Sequence, residues 1–105
     1  MANTAKVLFR GAATTTTTTN LYTVPSATTT VITSIAICNT SASSQTFTIA
    51  IGTASSETKL FEAATIAANT TTVIDLKQVL VATDQIDGGA SATSVTFHIS
   101  GMEIA

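Results

Sequence analysis

The sequence predicts an all-β protein, a small β-sandwich of seven to eight short, mostly antiparallel strands. Of its 105 residues, 24 are threonine and only ten carry a charge. Threonine is β-branched and suits a pleated, half-buried surface better than a helix. Short alternating runs also recur about every ten residues with turn signals between them, and no stretch of useful length has helical periodicity. A sandwich is favoured over a barrel because the inward faces can pack two sheets but cannot line a cavity.

The N-terminal quarter contains two strand signals separated by a low-complexity tract. Residues 6–10 form the first strand. Residues 14–19 are all threonine, and they fit either a loop or an extended edge because they have no apolar face to bury. Residues 21–24 form a second strand, which ends at Pro25 because proline has no N–H to donate to a ladder.

The rest of the chain contains further strand signals of different strength. These runs are residues 31–39, 46–52, 60–62, 70–76 and 94–100. Residues 31–39 are apolar or small on both faces, so we expect a central strand covered on both sides. Residues 77–80 fit either a helical turn or a strand, and Gly88-Gly89 indicates a turn.

Alternation along these strands assigns one face of each to the core. The predicted core residues are Val7, Phe9, Ile35, Ile37, Phe47, Ile49, Val73, Val95, Phe97 and Ile99. Cys38 is the single cysteine, so the chain has no internal disulfide framework, and we expect a small buried hydrophobe there.

The composition divides the chain into two parts. Residues 21–105 are predicted to form the sandwich domain. Residues 1–20 have one apolar strand and then the threonine tract, which is too little apolar surface to stabilise a structure alone. We therefore expect an N-terminal arm that orders by adding a strand to a neighbouring subunit or shell.

Charge and hydropathy argue against several classes of partner. The net charge is −2 with four basic residues, which provides no basic patch for nucleic acid or an anionic membrane. The most apolar run, residues 31–38, is too short to span a bilayer. Residues 1–6 lack the basic and apolar regions of a signal peptide, so we expect none.

Chemically reactive side chains are few. His98 is the only histidine, and a metal ligand or general base would need partners that the sequence does not supply. Asp75, Asp84 and Asp87 are predicted in or near turns, where stabilisation of the turn is favoured over cation binding. The sequence therefore predicts no enzyme, no metal and no cofactor.

Three segments resemble small virion proteins of tailed bacteriophages and prophages. They are LYTVP at residues 21–25, VITSIAICNTS at residues 31–41 and VTFHISGMEI at residues 95–104. The resemblance covers about residues 20–104 and implies a structural protein of the virion, assembled in the host cytoplasm, with no catalytic residues. It implies foremost a capsid cement or decoration protein that binds between capsomers of the major capsid protein. The alternatives are a tail, neck or fibre module, or a β-sandwich that binds a receptor or sugar.

Sparse charge also favours self-association, because little repulsion keeps copies apart. We expect a homo-oligomer, with a trimer favoured, that assembles through flat hydroxyl-rich rows and the N-terminal segment. Lys6 and Arg10 are predicted on one face of the first strand, with Leu8 between them. The expected interface residues are Lys6, Leu8, Arg10, Thr46, Thr48, Thr96 and His98.

Overall fold

Eight strands in two antiparallel sheets make up the fold in the computed structural model, which describes residues 3–53 and 56–105. No helix is found among these residues. The strands are β1 (Asn3–Ala12), β2 (Asn20–Thr23), β3 (Thr29–Asn39), β4 (Gln45–Gly52), β5 (Thr58–Ile66), β6 (Thr70–Leu80), β7 (Gln85–Ala90) and β8 (Val95–Ile104). The predicted all-β sandwich is confirmed, and residues 77–80 belong to a strand.

The strand order identifies the type of sandwich. Sheet A has the order β1-β8-β3-β6, and sheet B has the order β2-β7-β4-β5. The first strand pairs with the last, the second with the seventh, the third with the sixth and the fourth with the fifth. The chain therefore resembles a long hairpin rolled into two sheets, which is the jelly-roll arrangement.

The core lies between the two sheets and is built from aliphatic side chains around two phenylalanines. Ile35, Ile37 and Ile99 are fully buried, as their alternation predicts. The rings of Phe47 and Phe97 meet edge to face with centroids 6.4 Å apart. Seven of the ten predicted core residues are buried: Ile35, Ile37, Phe47, Ile49, Val95, Phe97 and Ile99. Phe9 is partly buried against them.

The prediction for Val7 and Leu8 is wrong, because β1 contains a bulge. Val7 pairs with Ser100, whereas Phe9 pairs with Ile99, so Leu8 is an extra residue in the ladder. A bulge of this kind changes which side chains face inward. Val7 is consequently 46% exposed, and Leu8 is buried in the core.

Three predictions for the sheet A strands also differ from the structure. Val73 is 64% exposed, because Ile74 and Leu76 supply the inward face of β6. The strand β3 is central, but only its inward face is fully buried, and its ladder is irregular between Ile32 and Ser34. Cys38 is a half-buried residue of the outer face instead of a core residue.

The threonine tract forms the loop that joins sheet A to sheet B. The loop lies over β7, where Ala90 and Gly88 donate backbone hydrogen bonds to the carbonyls of Thr14 and Thr19. A Cβ added to Gly89 would lie 2.4 Å from the Thr16 carbonyl oxygen. The predicted turn at Gly88-Gly89 is therefore wrong: both glycines are inside β7, and Gly89 lets the loop approach the strand.

The N-terminal segment belongs to the chain's own sheet. The strand β1 pairs with β8 from Asn3 to Ala12, and Ala13 is buried in the core. For residues 3–12, the expectation of an arm that orders only on a neighbour is therefore wrong in this structure. Residues 1–2 lie outside the described residues.

Candidate interaction surface

The outer side of sheet A presents four rows of side chains, which the ladder registers define. They are Ala5, Met102, Val31 and Val79 in row 1, and Val7, Ser100, Ser34 and Asp75 in row 2. They continue as Arg10, His98, Ala36 and Val73 in row 3, and Ala12, Thr96, Cys38 and Thr71 in row 4. We call these residues the sheet A face. The strands contribute to each row in the order β1, β8, β3, β6.

The sheet A face combines apolar side chains with small hydroxyls and few charges. Val73 and Val79, both on β6, are each 64% exposed. Among the row positions, Arg10 and Asp75 are the ones with a full charge, and Lys77 lies nearby in the irregular part of β6. An exposed apolar surface of this kind is a candidate for contact with another protein.

A depression interrupts the β1 half of the sheet A face. It has a volume of about 380 Å³ and is lined by Ala5, Lys6, Val7, Thr33, Ser100 and Gly101. It lies where the extra residues of β1 and β3 disturb the ladder. The face therefore has a recess near one edge strand and projecting valines on the other.

Three of the predicted interface residues lie on the sheet A face. Arg10 pairs with His98, and Thr96 lies in the next row. His98 is exposed, as its outward position predicts. Their participation in an interface stays a prediction.

Lys6 and Leu8 do not lie on that face with Arg10. Leu8 points into the core. Lys6 pairs across the ladder with the buried Gly101, and its Nζ lies 3.1 Å from Glu103 Oε2. The bulge at Leu8 is the reason, because it separates Lys6 and Arg10 onto opposite faces of β1.

Thr46 and Thr48 lie on sheet B, and the prediction for Thr48 is wrong. Thr48 is buried, and its hydroxyl accepts a hydrogen bond of 3.0 Å from the Ala63 backbone N–H. Ala50 is also buried. Thr46 is partly exposed. The chain itself thus covers much of the row that the sequence predicts as a contact surface.

A polar cluster closes one end of the sandwich. The Tyr22 hydroxyl donates to Glu103 Oε2 and is 2.9 Å from the Thr30 hydroxyl. The pKa of Tyr22 is raised to about 12, first by burial and then by its hydrogen bond to Glu103. The same bond, with a smaller contribution from Lys6, lowers the pKa of Glu103. Because these groups satisfy one another, the cluster ties the two sheets together.

Asp87 is the most perturbed acid in the molecule's described part. It lies within β7 between Asn20 and Ala50, is 8% exposed, and its Oδ1 has no hydrogen-bond partner. The pKa of Asp87 is raised to about 6 by burial first, and then by a hydrogen bond and charge repulsion from Glu57. The predicted position in or near a turn is therefore wrong for Asp87. Asp84 does lie in a turn, where its Oδ2 accepts from the Val81 N–H at 3.0 Å.

The Asp87→Asn variant should be more stable than wild type at neutral pH. A raised folded-state pKa means that folding favours the protonated carboxyl. The contribution of protonated Asp87 to the stability of the folded protein is fully present below the unfolded-state pKa of 3.8. This contribution is lost as the pH rises through the folded-state pKa of about 6. That loss corresponds to about 3 kcal/mol, and it should be absent from the variant. Urea unfolding at pH 4 and pH 7.5 measures the difference.

Asp75→Asn is the matched control for that measurement, because Asp75 is an exposed carboxyl on the other sheet. At concentrations where the chain is monomeric, this variant should lose as much stability between pH 4 and pH 7.5 as wild type does. If Asp87→Asn showed the same loss of stability between pH 4 and pH 7.5 as wild type, Asp87 would not be the group responsible.

The aromatic side chains do not form a platform for sugars. Phe47, Phe97 and Tyr22 are buried, and Phe9 and Phe61 pack against the core. Residues 3–53 and 56–105 contain no group of three or more His, Cys, Asp or Glu side chains that could hold a metal ion. Within those same ranges, no helix has the length and apolar character needed to cross a membrane.

Comparison with solved structures finds virus particles with a similar fold. A structure of infectious bursal disease virus, Gx strain, has a TM-score of 0.56 at 14% identity and covers 97% of this chain and 32% of that chain. The T13 particle of the same virus has a TM-score of 0.54 at 8% identity and covers 96% of this chain and 30% of that chain. The tobacco streak virus coat protein has a TM-score of 0.46 at 14% identity and covers 99% of this chain and 83% of that chain.

The two similarities to infectious bursal disease virus show the fold alone, because one fold serves many functions. The chain spans about a third of the length of the first two of these chains. No model of a known protein family matches the chain, and no curated protein matches its sequence.

Proposed function

We propose that this protein is a structural component of a virus particle, and that it acts as a cement or decoration protein on the assembled shell. The observation that carries the proposal is the eight-stranded jelly roll, which is similar over 97% of the chain to a structure of infectious bursal disease virus. The tailed-phage sequence segments support the same class of protein.

The surface of the molecule supports a role in binding other proteins. Large areas of sheet A are apolar and carry few charges, whereas the side chains with the largest pKa shifts, Tyr22 and Asp87, are buried. A protein that works by contact needs such a surface and no reactive centre. We therefore propose no catalytic role.

A role as a cement protein is favoured over a sugar-binding role by the positions of the aromatic residues. Carbohydrate sites use exposed aromatic rings as stacking platforms. In this chain all five aromatic side chains are buried or packed against the core. A surface rich in threonine and valine suits contact with a protein shell better.

The copy number of the protein in purified particles tests the proposal. Quantitative mass spectrometry of particles from the virus that encodes the chain should find it at a copy number comparable with that of the main shell protein. Washing at high ionic strength should leave it bound, because few charges contribute to the contact. A copy number far below that of the shell protein would indicate a neck, tail or fibre part and overturn the cement proposal. Absence from the particle would overturn the virion role altogether.

A further inference from the structure

The sheet A face has properties that match a second copy of itself. Its four strands are ten or eleven residues long, and its rows combine apolar residues, small hydroxyls and one charge on each edge strand. We infer that this face binds the same face of a second chain, with a two-fold axis that runs parallel to the strands between the two sheets. Such an interface is isologous, so each contact occurs twice.

Row 1 is apolar from edge to edge. The proposed axis reverses the order of the strands, so β1 of one copy faces β6 of the other. It leaves the position along the strands unchanged, so each row faces the same row of the second copy. Ala5 then faces the second copy's Val79, and Met102 faces the second copy's Val31. All contacts in this row are between apolar side chains, and burying them from water favours association.

The recess and the projecting valine are placed to meet. The depression of about 380 Å³ lies beside Ala5 and Val7 on the β1 half of the face, and Val79 is 64% exposed on the β6 half. The two-fold places Val79 of each copy opposite Ala5, at the margin of the recess of the other copy. One geometry thus brings both valines against both recesses, at the two edges of the contact.

The two charges among the row positions are complementary under this axis, and a third charge, that of the exposed Lys77, lies on β6 between rows 1 and 2. Arg10 is in row 3 on β1, and Asp75 is in row 2 on β6. Neither belongs to the two ion pairs of the described residues, Lys6–Glu103 and Lys59–Glu62. The axis brings each Arg10 within one row of the other copy's Asp75, which gives two opposite-charge pairs at the edges of the contact.

An in-plane axis perpendicular to the strands would be less favourable. It would place β1 over β1 and β6 over β6, with the rows reversed. Each Arg10 would then lie next to the other copy's Arg10, and each Asp75 next to the other copy's Asp75. Like charges this close repel, so the parallel axis is preferred.

The area of the face is large enough for a specific contact. Four strands about 4.8 Å apart and about eight residues long at 3.3 Å per residue cover about 500 Å². Two copies then bury about 1,000 Å², which reaches the lower bound for a specific interface. Two sheets packed face to face with nearly aligned strands form a common arrangement.

The trimer expectation depended on the sheet B row and on a free N-terminal segment, and the structure removes both. Thr48 and Ala50 are buried within the chain, and residues 3–12 belong to its own sheet. The remaining predicted row, Thr96, His98 and Ser100, lies on the sheet A face. The inference deepens the proposed function by naming one partner of the surface, and it can fail or hold independently of particle binding.

Sedimentation velocity and light scattering of the purified chain over a concentration series test the inference. We expect a mass that rises from that of the 10.7 kDa chain to twice this value. Val79→Glu should leave a monomer at concentrations where wild type is a dimer, and its melting temperature should equal that of wild type diluted to the monomer, because the side chain is exposed. Lys59→Glu on β5, outside the face, is the control and should dimerise as wild type does.

A charge exchange tests the axis itself. Arg10→Asp and Asp75→Arg should each weaken dimerisation, because each places like charges opposite one another. The double variant Arg10→Asp/Asp75→Arg should recover the wild-type dimer. If the double variant did not recover, Arg10 would not meet Asp75 and the proposed axis would be wrong.

Three other outcomes would overturn the inference. They are a wild-type chain that stays monomeric throughout the series, a Val79→Glu variant that still dimerises, and a trimer as the smallest assembly. A monomer that is nevertheless abundant in purified particles would overturn this contact and leave the proposed function standing. A chain that forms the dimer but is absent from particles would support this contact and overturn the proposed function.

Discussion

Phe97→Ala should lower the free energy of unfolding by about 3–5 kcal/mol. Phe97 is fully buried on β8 and contacts the ring of Phe47 edge to face. The substitution removes the buried ring and leaves a cavity between the two sheets that neighbouring aliphatic side chains fill only in part. A domain of this size has roughly 5–15 kcal/mol of stability in total, so the loss is a large share of it. Equilibrium urea unfolding measures the change.

Val73→Ala is the control for the Phe97 variant. Val73 is 64% exposed on the sheet A face, so at concentrations where the chain is monomeric its truncation should change stability by less than about 0.5 kcal/mol. A Phe97→Ala protein that unfolds at the wild-type midpoint would show that this ring does not support the core. A large loss for Val73→Ala would place that side chain in the core instead of on the surface.

Deleting residues 1–13 should abolish cooperative folding. The deletion removes β1, a strand of ten residues that pairs with β8, together with the buried Leu8 and Ala13. Truncation of a buried leucine alone costs about 2–5 kcal/mol, and the deletion also leaves β8 as an unprotected edge. Circular dichroism and urea unfolding of the truncated chain test this expectation.

Two point variants distinguish the loss of a buried side chain from the loss of the whole strand. Leu8→Ala should destabilise strongly, whereas Val7→Ala should have little effect, because the bulge places Leu8 inward and Val7 outward. Equal effects would mean that the bulge is absent. A truncated chain that folds and unfolds as cooperatively as wild type would support an independent arm.

The sequence alone was sufficient for the class of fold and for most of the core. Alternation in residues 46–52 and 94–100 placed Phe47, Ile49, Val95, Phe97 and Ile99 inward, and all five are buried. Threonine content and the spacing of the turn signals predicted a sandwich of short strands. These features are local, so they can be recognised without knowing which strands become neighbours.

The bulge in β1 and the position of Gly88-Gly89 depend on which strands and loops become neighbours, so the sequence alone could not indicate them. The extra residue at Leu8 is visible only against the register of β8, and it alone separates Lys6 from Arg10. Two adjacent glycines predict a turn, but here the threonine loop lies against Gly89, and a strand that it approaches so closely needs a residue without a side chain.

The composition of residues 31–39 and 94–100 predicted two apolar strands. It did not predict the sheet A face, which these strands form together with β1 and β6. Rows such as Ala5, Met102, Val31 and Val79 join four segments that are distant in sequence. Side-chain direction in a strand depends on register, and register depends on the partner strand as well as on the strand itself. For that reason the amino-acid order specified the layers of this protein, and only the tertiary structure decided which residues the sheet A face presents.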